Sequence, residues 1–286
     1  MDFGNFDRPP FESRERRPVF PVAAFELLGK RSSQQDFNGH VVFEKDGKPC
    51  LAVAVADGHG TIGGYAARHA VTTVLGRIKE NGTSLEALEH TFAEIHDSIT
   101  EQNVFGGTTL TAVILEQGLI TIAWAGNSQA RVFSADDSSF HTLTLPHEYG
   151  AHPGETDRLM GQHAIIVDPR HPYARPKKRG HIGIPGGGHI EVSRALGDPE
   201  TEPFVLHEPE LKTVVATPDE RFLVVATDGF WQSIDKRGRR KAVERILAES
   251  QDAQEASRRV KSLLDKIMPD DNTTVVIVDL EKDGGR

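Results

Sequence analysis

The sequence predicts an α+β fold in which antiparallel sheets are covered by helices. Three observations carry this expectation. Strand-like segments follow one another through hairpin-length connections, amphipathic helices stand before and after that run, and the elements come in blocks rather than in strict alternation. Nothing repeats at a fixed period, and no linker separates two folding units. The 286 residues, 37% of them hydrophobic, suffice for one substantial core without cross-links.

Residues 1–20, rich in Arg, Pro and Phe without periodicity, read as a flexible N-terminal arm, and residues 21–282 as a single domain. The apolar run Pro49–Ala56, ending at Asp57, has the pattern of a buried strand. A helix follows, carrying Ala67, Val71, Val74, Leu75 and Ile78 on one face. Thr83 and Glu86 form a capping-box pattern for a second helix, whose stripe of Leu85, Leu88, Phe92, Ile95 and Ile99 alternates steps of three and four. Thr109–Leu115, Leu119–Trp124 and Ala130–Ser134 then read as strands, with Glu116-Gln117-Gly118 as a hairpin connection. Arg221–Thr227 is another buried strand. Asp252 and Glu255 cap a helix bearing Ala256, Val260, Leu263 and Ile267, and Thr274–Leu280 is a last strand.

Composition excludes several classes. The single Cys50 rules out an intramolecular disulfide framework and suits a reducing compartment. No apolar run approaches the roughly 20 residues that span a bilayer, and the N-terminus lacks the apolar stretch of a secretory signal, so cytoplasm or nucleus is the expected location. A formal net charge of -9 argues against general nucleic-acid binding. A monomer is the simplest assembly.

Three segments place an Asp where a strand ends or a turn begins: Val55-Ala56-Asp57-Gly58-His59-Gly60, Val225-Ala226-Thr227-Asp228-Gly229-Phe230 and Pro269-Asp270-Asp271-Asn272-Thr273. Strands hold side chains rigidly, and Gly after Asp lets the backbone turn and approach a ligand. Carboxylates gathered this way repel one another unless a cation lies between them, and Mg or Mn, which prefer oxygen ligands, are the natural fillers. Taken singly, each motif also reads as an ordinary Asp turn.

A fourth segment, Arg31-Ser32-Ser33-Gln34-Gln35-Asp36, precedes the strand-like Gly39–Glu44. With Gly107-Thr108-Thr109, Val192-Ser193-Arg194-Ala195-Leu196-Gly197-Asp198 and the three segments above, it resembles the metal-dependent protein phosphatases of type 2C, in the family's order from about residue 29 to residue 280. The resemblance implies a four-layer α-β-β-α sandwich of two antiparallel sheets flanked by helices, with two divalent cations, Mn or Mg, in a cleft at one end. Asp57 would bridge both ions, Asp36 and the Gly58 carbonyl would serve one, and Asp228 with Asp271 the other. Arg31 would hold the substrate phosphate, and a water between the ions would attack phosphorus in line with the serine or threonine oxygen. His59 would protonate that oxygen. The partners implied are phosphoprotein substrates.

Each residue also has a plainer reading: His59 as a turn histidine, Arg31 as a surface arginine, Asp198 as a structural residue or the ligand of a further ion. Cys50, in a strand without a phosphate loop, does not read as a nucleophile. His171, His181 and His189 match no compact zinc spacing.

The chain departs from the family at four positions. Gln35 stands where Glu is usual, Asn127 where Gly-Asp-Ser-Arg has Asp, Pro146 where an acid precedes His, and Gln232 where Asp often follows Trp. Because acids at the last two positions help to hold a third ion, that site is expected to be absent or weak. The same substitutions support an alternative reading, a pseudophosphatase of the same fold acting as a binding module. Residues 168–189, with Arg170, Arg175, Lys177, Lys178 and Arg179, fall at the family's flap beside the cleft and read either as a basic element favouring acidic substrates or as a solvated loop. Residues 236–241 form a second basic run, expected as a solvent-facing loop.

Overall fold

The computed structural model describes residues 20–168, 180–184, 188–235 and 238–280. The chain enters through β1 (Val22–Leu27), β2 (Asp36–Lys45) and β3 (Lys48–Gly60), then α1 (Gly63–Asn81) and α2 (Leu85–Thr100). β4 (Gly106–Thr108), β5 (Leu110–Glu116), β6 (Leu119–Ala125), β7 (Gln129–Ser134) and β8 (Ser139–Thr142) lead to α3 (Pro153–Gly161). Short strands β9 (Ile166–Val167), β10 (His181–Gly183), β11 (His189–Ile190) and β12 (Leu196–Gly197) precede β13 (Glu210–Val215) and β14 (Glu220–Ala226). The chain closes with α4 (Asp228–Asp235), α5 (Arg239–Glu249), α6 (Ala253–Ile267) and β15 (Thr273–Asp279).

Two antiparallel sheets stack, as expected. One runs β1-β15-β14-β7-β8, the other β12-β4-β3-β5-β6-β13 with β2 added on β3. The two-residue side-chain period of a strand explains the layering. In β3, Leu51, Val53 and Val55 pack with Val113 and Ile122 against Val132, Leu223, Val225 and Val276 of the other sheet. The alternate residues Ala52, Ala54 and Ala56 face α1 and α2, where their small size lets the helices lie close. On the far side, Val224, Ala226, Val275 and Ile277 receive α4, α5 and α6. The sandwich therefore has four layers, with two sheets inside and helices on both faces.

Details differ from the sequence expectation. β3 does not stop at Asp57 but continues to Gly60, where it pairs with β4. The cap of α2 is Ser84, whose Oγ accepts from the Ala87 N–H at 3.2 Å; Thr83 is drawn away by Lys45 Nζ (2.7 Å) and Glu116 Oε2 (2.9 Å). Leu85, first in that helix, is exposed while the rest of its stripe is buried. Phe20, assigned to the arm by composition, is buried between the sheets. Residues 1–19 lie outside the described residues, as do 169–179 and 185–187 of the 168–189 segment, including its five basic side chains. The described parts of that segment contribute β10 and β11, which form a small three-stranded sheet with β9. Lys236 and Arg237 are also outside, but Arg239–Lys241 open α5 instead of a loop, and Arg240 Nε donates to the buried Glu244 at 2.9 Å.

Trp231 of α4 locks the helical layer onto its sheet. It is 1% exposed, its Nε1 donates to the Ala226 carbonyl at 3.0 Å, Phe140 and Phe230 meet it edge-on, and the Arg131 guanidinium sits 4.0 Å over its ring. Trp231→Ala is expected to cost about 3–5 kcal/mol, read as a lower denaturation midpoint. A loss within about 1 kcal/mol would contradict this packing.

Candidate active site

The site assembles from register. In the β2–β3 pair, Asp36 lies directly opposite Asp57, so the antiparallel pleat sends both side chains to the same face. On the other sheet, β14 and β15 pair with Ala226 opposite Val275, which brings Asp228, just past β14, close to Asp271, just before β15. Asp228, expected where a strand ends or a turn begins, opens α4. Thr227 joins the two sheets: its Oγ1 donates to Asp36 Oδ2 at 2.8 Å and accepts from the Thr274 N–H at 3.0 Å.

Gly58 is required sterically, because a Cβ there would overlap the carbonyls of Gly63 and Gln35. Its N–H donates to the Gln35 carbonyl at 3.1 Å, and the Gln35 amide in turn donates to the Gly60 carbonyl at 2.9 Å. Gln35 thus fastens the loop, a role its lack of charge permits. Asn272 completes the frame, accepting from the Gln35 N–H and donating to the Leu28 carbonyl, each at 2.9 Å.

These elements surround a cleft of about 330 Å³ lined by Arg31, Asp57, Gly58, His59, Glu191, Asp228 and Asp271 among others. Asp36 lies behind it, 4% exposed. Arg31, Asp57, Gly58, His59, Asp228 and Asp271 therefore line one cavity, and Asp36 stands opposite Asp57 in the β2–β3 pair. Arg31 Nη2 pairs with Asp271 Oδ2 at 2.6 Å, with 57% of the arginine side chain still exposed. His59 Nε2 lies 2.5 Å from Asp198 Oδ2.

The electrostatics are strained. Burial, together with the nearby Asp228 and Asp271, raises the Asp36 pKa to about 7. Burial first, then Glu191 and Asp271, raises Asp228 to about 7 as well. Asp57 is pushed well above the usual carboxylate range by burial and by Asp36, Asp228 and Asp271, and its carboxyl lies within hydrogen-bonding reach of Asp228. Two carboxyl groups that close must share a proton or a cation. Among the described residues no hydrogen-bond donor meets the buried Asp36 Oδ1 and Asp228 Oδ1, which is costly unless something positive reaches them. All-oxygen donors, clustered and orphaned, fit hard divalent cations.

Sequence reasoning missed several residues. Glu191 adds a carboxylate to the cleft wall immediately before the Val192–Asp198 motif, and no spacing rule marks it. Asn127 and Gln232, noted only as departures, both donate to Asp228 Oδ2, at 3.1 and 2.7 Å. Asn127 Nδ2 also donates to Glu148 Oε1 at 3.1 Å. Arg194 of the same motif stays out of the cleft and pairs at 2.7 Å with buried Glu155, which Arg158 also holds at 2.6 Å. Burial works against that carboxylate, yet the two guanidinium groups bring its pKa down to about 2.

Two His/Glu groups elsewhere have ligand atoms close enough for an ion: His96, Glu202 and His207, and His147, His152 and Glu210. Their hydrogen bonds explain them without one. His147 Nδ1 accepts from the Gly126 N–H at 3.1 Å, so Nε2 carries the proton and donates to Glu210 Oε2 at 3.1 Å; His152 donates to the same oxygen at 2.9 Å. His96 Nδ1 likewise accepts from the Gly197 N–H at 3.2 Å, which leaves the proton on the nitrogen facing Glu202. His171 lies outside the described residues, while His181 and His189 pack ring against ring, 4.9 Å apart.

Comparison with known proteins agrees with this geometry. The family model for protein phosphatase 2C matches residues 27–270, and the chain belongs to that family. A probable protein phosphatase 2C of Caenorhabditis elegans is 27% identical over 89% of this chain and 72% of its own length. A probable protein phosphatase 2C of Arabidopsis thaliana is 26% identical over 82% of this chain, which spans 60% of that relative. Among solved structures, the serine-threonine phosphatase 2C of Toxoplasma gondii shares the fold with a TM-score of 0.72 at 18% identity, covering 92% of this chain and 95% of that one. A C. elegans sex-determining protein reaches 0.71 at 25% identity, over 91% of this chain and 65% of its own.

Proposed function

We propose that this chain is a Mg- or Mn-dependent protein phosphatase that hydrolyses phosphoserine and phosphothreonine in proteins. The observation that carries the reading is the gathering of Asp36, Asp57, Asp228 and Asp271 at one cleft with Arg31 and His59, where burial and neighbouring carboxylates raise the pKa of Asp36, Asp57 and Asp228. Asp57 would bridge two ions, with Asp36 and the Gly58 carbonyl on one and Asp228 and Asp271 on the other. The bound cations would supply a water acidified enough to act as nucleophile near neutral pH. Arg31 would turn its guanidinium from Asp271 to two phosphate oxygens and fix the phosphorus in line for attack. His59 would give a proton to the departing serine or threonine oxygen.

Two ions rather than three are supported by Pro146 and Gln232, which stand where acids help to hold a third ion, the Gln232 amide instead donating to Asp228 Oδ2 at 2.7 Å. A third site is accordingly weak or absent. Among the described residues no helix is long and apolar enough to cross a membrane. A monomer in cytoplasm or nucleus, acting on phosphoproteins and not on nucleic acid, completes the proposal.

The decisive experiment is phosphate release from a phosphothreonine peptide with Mn, with chelator, and with Asp228→Asn. Release that needs Mn and falls at least about 100-fold in the variant is expected. No metal-dependent release above the variant would overturn the reading in favour of a non-catalytic binding module of the same fold.

A further inference from the structure

Asp198 is 1% exposed, yet the mechanism above leaves it without a task. It closes the Val192–Asp198 motif and stands in the left-handed region at φ 55°, an uncommon conformation for a residue with a side chain. The neighbouring chain holds it there. Its carbonyl accepts from Thr201 N–H (2.9 Å) and Thr201 Oγ1 (2.8 Å), and the preceding Gly197 N–H is fastened to His96 of α2. His96 is in turn stacked on His207 at 4.1 Å. On the open side, any Cβ at Gly107 would overlap the Asp198 carboxylate, so only glycine in β4 leaves it room. This frame delivers Oδ2 to 2.5 Å from His59 Nε2, and β3–β4 pairing sets His59 opposite Gly107.

The orientation has a chemical consequence. Asp198 does not line the cleft, whereas His59 does. A carboxylate on Nε2 accepts that nitrogen's proton in a hydrogen bond, fixing the ring plane and leaving Nδ1 as the ring nitrogen for the cleft. We propose that Asp198 is a positioning residue for His59, holding the ring by Nε2 so that Nδ1 meets the leaving oxygen of the substrate. This rests on the phosphatase reading. In the step concerned, a P–O bond forms to the oxygen of a water that has already given one proton to solvent, and the P–O bond to the serine or threonine oxygen breaks. The departing oxygen takes the Nδ1 proton, the Nε2 proton stays on the ring facing Asp198, and water later returns a proton to Nδ1.

The test compares Asp198→Asn, His59→Gln and the double variant, with Mn present, on a phosphothreonine peptide and on p-nitrophenyl phosphate. The peptide has a poor leaving group that needs protonation; nitrophenolate leaves without it. For Asp198→Asn we expect kcat on the peptide to fall about 10–100-fold, at least tenfold more than on the nitrophenyl ester, with KM within about threefold. The double variant should be no slower on the peptide than His59→Gln alone, because the two residues act as one unit. Equal losses on both substrates, multiplying losses in the double variant, or no loss at all would overturn the inference. Should Asp198→Asn fail to fold, Asp198→Glu, which keeps the charge but displaces the carboxylate, must show the same substrate-selective loss. A wild-type chain that releases phosphate from neither substrate would remove the phosphatase reading, and this inference with it.

Discussion

Asp57→Asn is expected to abolish metal-dependent turnover, by at least about 1,000-fold or roughly 4 kcal/mol of transition-state stabilisation, while making the metal-free protein more stable. The two effects have one cause. Asp57 shares hydrogen-bonding distance with Asp228 and feels Asp36 and Asp271, so its charge is unwelcome until a cation offsets it. Asn keeps the volume, removes the charge and offers an N–H to the Asp228 carboxylate. It cannot bridge two cations as an anion does. In chelator near pH 8, Tm should therefore rise by at least roughly 2 °C, on the scale of 1 kcal/mol for a domain of this size. Kinetics and calorimetry on the same preparation check both halves. A variant that loses activity and stability together would show that Asp57 is packed for structure, because a site held for function trades the one against the other.

The layers of the fold were legible because they depend on local pattern. The apolar run Pro49–Ala56 marks a buried strand, and Glu116-Gln117-Gly118 has the residues a tight hairpin needs, with Gln117 at φ 51° and Gly118 at φ 79°. Ordered motifs around Asp36, Asp57, Asp228 and Asp271 were enough to pick out four aspartates that the fold brings together. Residues whose role depends on long-range pairing stayed hidden. Thr83 and Ser84 are adjacent hydroxyls, and only the approach of Lys45 and Glu116 decides which one caps α2. Glu191 reaches the cleft because β11 crosses beside it, and the meeting of His59 with Asp198 spans 139 positions. Gln232 and Asn127 looked like losses of acid. Their gain, two donors on one oxygen of Asp228, exists only once α4 and the turn before β7 come together.

Metal and pH should control stability jointly. Asp36 and Asp228 have folded-state pKa values of about 7 against an ordinary 3.8, so between those values the folded chain holds protons that the unfolded chain has released. The stabilisation from those protons is complete below about pH 4 and is lost as pH rises through about 7, because stability falls with pH wherever the folded state binds more protons. Without metal, the protein should therefore be more stable near pH 5 than near pH 8, by an amount on the order of a few kcal/mol. Divalent cations should reverse the slope. They would bind the deprotonated carboxylates, compete with protons at pH 5, and at pH 8 add about 2.7 kcal/mol when present at 100 times Kd. Thermal unfolding at about pH 5, 6.5 and 8, each with chelator and with Mn, should show a metal-induced rise in Tm that grows with pH. A rise of equal size at pH 5 and pH 8 would mean that the ions do not engage the buried pair Asp36 and Asp228, and the two-ion assignment would fall. With Asp228→Asn the chelator curve should flatten and the Mn effect shrink, since that change removes one titrating group and one ligand together.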